Sequence, residues 1–97
     1  MKIPISSIRT DEVWVSFRHV LQRNSKERPF SEACVGWIGR DGKERAHKGL
    51  TYVHPNDIPE RKIGRKVALS RALWASGFTR DERRQVWMGL MEKGMRV

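Results

Sequence analysis

The chain has 97 residues, a single Cys, four Trp and a formal net charge of +9, from 20 Lys and Arg against 11 Asp and Glu. That length holds one domain, residues 1–97, with a thin core, and 38% hydrophobic residues are too many for a disordered chain. Cys34 alone cannot form an intrachain disulfide, residues 1–10 carry no apolar leader, and no stretch reaches the length of a membrane span, so a cytoplasmic protein is expected.

Apolar residues alternate between Glu12 and Leu21, with Val13, Val15 and Phe17 on one face and Ser16 and Arg18 on the other, which predicts a half-buried strand. Residues 24–29 are polar and read as a loop. Glu32 to Gly39 predicts a second strand, with Ala33, Val35 and Trp37 on one side and Cys34 and Ile38 on the other. Asp41-Gly42 predicts a tight hairpin turn into a third strand, Lys43 to Val53. His54-Pro55-Asn56-Asp57 ends that strand, with Asp57 expected to cap the next helix.

A helical period then takes over. Pro59 and Glu60 suit a helix start. Ile63, Val67, Ser70 and Trp74 line up as one face, widened by Leu69 and Leu73, beside a small-residue face of Gly64, Ala68, Ala72 and Ala75 that would let the helix approach a sheet or another helix closely. Gly77 is expected to close the helix. Thr79 and Glu82 match a capping box for a second helix, which carries Val86, Trp87, Leu90 and Met91 to about Lys93, with Gly94 as the stop. The expected fold is α+β, a small antiparallel three-stranded sheet followed by two C-terminal helices packed on one face.

Two basic groups stand out as candidate phosphate or nucleic-acid contacts. Arg61, Lys62, Arg65 and Lys66, with Arg71 further along, gather at a predicted helix start, where free amides and the dipole favour an anion. Arg40, Lys43, Arg45 and Lys48 surround the predicted hairpin. Trp14, Trp37 and Trp87 are candidate aromatic contacts, against the competing expectation that each Trp belongs to the core. Cys34, His19, His47 and His54 lack metal-ligand spacing, so no metal is expected. No Gly-rich phosphate loop and no nucleophile, base and orienter stand together, so neither a cofactor nor catalysis is expected.

The segments Gly49-Leu50-Thr51-Tyr52-Val53-His54-Pro55-Asn56-Asp57 and Gly64-Arg65-Lys66-Val67-Ala68-Leu69-Ser70-Arg71-Ala72-Leu73 resemble a signature of small accessory proteins of tailed phages and prophages. Thr51 departs from the Ala usual there, and a C-terminal helix rich in Arg and Trp is added. Arg65-Lys66-Val67-Ala68 also resembles the basic helix step of double-stranded-RNA-binding domains, although no amphipathic helix precedes Glu12. The phage resemblance implies an anti-defence or host-modulating role inside a bacterial cell.

The combined expectation is a small basic binding protein that engages a phosphate-rich ligand, either nucleic acid or a nucleotide signal. The alternative is an anti-CRISPR or host-takeover inhibitor that docks on an acidic protein surface. A homodimer is a further partner to test for, given the thin core, and no membrane partner is expected.

Overall fold

The computed structural model describes residues 1–20, 29–52 and 61–94, with the side chain of Arg61 outside that set. Four strands and two helices succeed one another: β1 (Lys2–Pro4), β2 (Glu12–Val20), β3 (Phe30–Ile38), β4 (Glu44–Tyr52), α1 (Arg61–Ala75) and α2 (Arg80–Glu92). The strands form one antiparallel sheet in the order β1-β2-β3-β4. The fold is therefore α+β with four strands, not three. The extra strand pairs Ile3 with Val13, and Ile3 and Ile5 both enter the core.

Strand alternation places each residue as the period of two requires. Val13, Val15, Ala33, Val35 and Trp37 face the helices and are buried, while Trp14, Cys34, Lys48 and Leu50 lie on the opposite face. Trp14 lies against Gly36, where its six-membered ring fills the space a Cβ would need. The tight hairpin turn expected at Asp41-Gly42 joins β3 to β4. Gly42 alone takes a positive φ, 78°, after a turn closed by the Gly42 amide on the Gly39 carbonyl at 2.9 Å. This is the three-residue hairpin with a glycine bulge, in which Asp41 keeps an ordinary backbone and only the residue after it must be left-handed.

α1 packs across β3 and β4, and α2 closes over β1. The close approach of α1 depends on Gly49 of β4. A Cβ there would overlap the Ala68 carbonyl oxygen and the Ala72 nitrogen and would come within 2.9 Å of the Arg71 Cβ. Glycine at this position lets two backbones meet. At the other helix, Gly89 makes room for Ile3.

The buried side of α1 is Ala68, Leu69, Ala72 and Leu73. This corrects the expectation that Ile63 and Trp74 join the core with Leu69 and Leu73. Ile63 is 57% exposed and Trp74 72% exposed. Ala68 and Ala72 of the small-residue face meet the sheet together with Leu69 and Leu73, while Ala75 is exposed.

Gly77 closes α1 with a φ of 71°, and Gly94 comes after α2 with a φ of 89°. The Thr79 capping box forms as expected: the Thr79 hydroxyl accepts from the Glu82 amide, and the Glu82 carboxylate accepts from the Thr79 amide. The expected turn at His54–Asp57 and the Pro59-Glu60 helix start lie outside the described residues. Among the described residues no helix is long and apolar enough to cross a membrane.

Candidate functional site

The two predicted basic groups do not come together. The hairpin lies beyond the Ile38↔Glu44 end of the sheet. The N-terminal part of α1 lies toward the other end, with Gly64 against Ser31. The Trp37↔Arg45 and Phe30↔Tyr52 pairs are seven residue steps apart, a span of about 23 Å at the rise of an extended strand.

At the hairpin the arginines are engaged within the fold. Arg40 donates to the Asp11 carboxylate at 2.8 Å, to the Ser7 carbonyl at 2.8 Å and to the Ile8 carbonyl at 3.0 Å. It thus fastens the β1–β2 connection to the hairpin. Arg45 grips Asp41 through two bonds, at 2.9 and 3.1 Å. The Arg45 side chain and the Lys43 amide together hold the Asp41 carboxyl at about 2, well below the usual carboxylate range, and the same pair raises the Arg45 pKa. Arg9, which the sequence did not single out, donates to the Gly77 carbonyl at 2.8 Å and approaches Glu82 at 3.7 Å. Cavities of about 290 and 350 Å³ flank Gly39 and Arg40. The second is bordered by Arg9, Arg40 and Arg45, each of which already faces a carboxylate. Those pairs cancel most of the attraction a free anion would feel there.

Lys48 belongs to the opposite face of the sheet, where it and Arg18 share Glu32 at 3.8 and 3.3 Å. Lys43 is exposed and offers only its charge. Trp37 is 2% exposed and packs against Phe78 and His47 at ring separations of 4.7 and 5.7 Å, so it presents no surface to a ligand. Trp87 is half-buried against the core, and Trp14 is half-buried on the sheet face away from the helices.

α1 is different. Its fifteen residues, RKIGRKVALSRALWA, include no Asp or Glu. Lys62 and Lys66 are exposed, and among the described residues neither is within ion-pair distance of a carboxylate. Arg65 is half-buried, and its Nε has no hydrogen-bond partner among the described residues. Arg71 donates to the Leu50 carbonyl at 2.6 Å, which ties α1 to β4 and removes this side chain from the free cations. Of the predicted contacts, Lys62 and Lys66 therefore stand together as available charge, with Arg65 beside them.

The same helix exposes Trp74, which its spacing in the sequence assigns to the core. The Arg83 guanidinium lies 4.7 Å from the Trp74 ring centroid and donates to the Phe78 carbonyl at 2.6 Å. The indole is thereby held by a fixed cation on one face. The signal that could have found it was the second apolar stripe on α1, one more than a helix on a single sheet can bury.

Scans against protein-family models, curated proteins and solved structures find no match to the chain.

Proposed function

We propose that the protein is a non-catalytic binding module that seats an anionic partner on the outward side of α1. The observation that carries this is the distribution of charge. The arginines at the hairpin end of the sheet face Asp11, Asp41 and Glu82, whereas α1 has no carboxylate and projects Lys62 and Lys66 into solvent. Charge that no described carboxylate pairs with, on a chain of +9, draws polyanions and raises their local concentration.

Two chemistries fit. Phosphates of a nucleic acid or nucleotide signal would meet Lys62, Arg65 and Lys66 near the helix start. An acidic protein surface would meet the same cations and, in addition, the exposed Ile63 and Trp74. The likeness of residues 49–57 and 64–73 to phage accessory proteins supports a target inside a bacterial host, with interference in host defence as the role.

The test is anisotropy of labelled single-stranded DNA, duplex DNA and polyglutamate across a salt series. Binding of at least one probe is expected to weaken steeply as salt rises. For nucleic acid, changing Lys62 and Lys66 to Glu should lower the log–log salt slope by about 2 and the affinity by about tenfold or more. Affinities that ignore these changes for every anionic probe would refute the site.

A further inference from the structure

Ile63, Val67, Ser70 and Trp74 succeed one another at intervals of four, three and four residues, the spacing of a helix–helix seam. Ile63 and Trp74 are eleven residues apart, about 20° from perfect alignment and about 16 Å along the axis. Ile63 is 57% and Trp74 72% exposed, and Val67 is half-buried between them. The one polar member, Ser70, donates its hydroxyl to the Lys66 carbonyl at 2.9 Å. An apolar partner would therefore leave no hydroxyl donor unpaired at the centre of the seam. Trp74 is already held by Arg83, so it loses little rotamer freedom when covered.

Lys62 and Lys66 flank the ridge on one side and Arg71 on the other, and α1 carries no acidic residue. A second copy is thereby disfavoured. In either orientation two α1 helices would bring cationic flank against cationic flank, and such like-charge contact costs several kcal/mol. Duplex or single-stranded nucleic acid would satisfy the lysines but has no apolar row to match Ile63 and Val67.

We infer that the α1 ridge docks an amphipathic helix of another protein, one whose apolar seam is flanked by Asp and Glu. This rests on α1 being the binding surface, and it names the partner class for that surface. Ile63, Val67 and Trp74 pack into the partner's seam, with Trp74 as the buried anchor. Lys62 and Lys66 meet the acidic flank and set orientation and association rate.

The probe is a synthetic peptide of about three heptads with Leu at the seam positions and Glu at the flanks, a design that repels itself and seeks a basic partner. Its comparators are polyglutamate of equal charge, which has no seam, and single-stranded DNA. The peptide is expected to bind more tightly than either comparator and to retain measurable affinity at high salt. W74A and I63S should each weaken it by about tenfold while leaving polyglutamate binding unchanged. Both residues are exposed, so the melting curves should stay near wild type, which separates lost contact from lost fold.

Equal affinity for peptide and polyglutamate, tighter binding of DNA than peptide, or W74A and I63S both without effect, would overturn the seam while leaving α1 as an anion site. Peptide binding that depends on Trp74 but ignores K62E and K66E would keep the seam and remove the anionic reading. Failure of the peptide to bind even at low salt would overturn the inference.

Discussion

Gly49 is the position at which the seating of α1 can be tested most directly. Replacing it with Ala adds one methyl group where the Ala68 carbonyl oxygen and the Ala72 nitrogen already stand. Both are helix backbone, so no side chain can swing aside, and α1 must move off β4. Overpacking of this kind costs about 1–3 kcal/mol, and the rigidity of the obstacle argues for the upper end. The stiffer unfolded chain returns about 0.4–1 kcal/mol, which leaves a net loss of about 2 kcal/mol. For a domain of this size that is a fall in Tm of about 8–16 °C.

Thermal unfolding followed by circular dichroism measures it, with Gly36→Ala as the comparison. At Gly36 the severe overlap is with the Trp14 ring, a side chain on the sheet face away from the helices, while the nearest backbone atom, the Arg45 carbonyl oxygen, stands at 3.3 Å, so the loss should be smaller. A Gly49→Ala protein that melts with the wild type would refute the docking of α1 onto β4, and with it the exposure of the Ile63–Trp74 ridge.

Glu82 supplies a pH-dependent prediction. Burial raises its pKa, but the Ser7 hydroxyl, the Thr79 amide and hydroxyl, and Arg9 together outweigh burial and hold it below the usual value. A folded-state pKa lower than the unfolded one means that this stabilisation is complete above the unfolded value of about 4.3 and is lost as pH falls through the folded value. Glu82→Ala should therefore cost about 1–2 kcal/mol at pH 7, and denaturant titrations should show the gap to wild type closing as the pH drops below about 4. A gap that stays constant with pH would contradict the assignment. Arg40→Ala should lower stability by about 1 kcal/mol through the loss of its bonds to residues 7–11, yet leave binding of every anionic probe unchanged. Weakened binding in that variant would return the hairpin to the binding surface.

The strands were legible because Val13, Val15 and Phe17 alternate with Ser16 and Arg18, and a period of two has one reading when one face is buried. The capping box and Gly77 were legible for local reasons, since a cap needs only its own residues. β1 was not, because three residues including Pro4 give too little pattern, and its evidence is the pairing with β2. The inward face of α1 was legible only in part, its small-residue row marking a side able to approach a sheet closely. Its sequence carries two adjacent apolar stripes, and the choice between them is made by the notch at Gly49, on another element. Charge misled in the same way. Arg40 and Arg45 look like Lys62 and Lys66 in the sequence, and only the fold brings Asp11 to one and turns Asp41 toward the other.

The contact between the β1 end of the chain and α2 has a consequence for how the domain folds. Ser6 and Gln85 bond to each other through both the Ser6 amide and its carbonyl, at 2.7 and 2.9 Å, across 79 residues of sequence, and Ile3 waits for the notch at Gly89. β1 is thus covered by α2, the described helix farthest from it along the chain. The β2–β4 meander can form from neighbouring segments early, but its apolar side stays open until the two helices dock. Contacts this distant in sequence slow folding and lengthen the time that side is exposed to other chains.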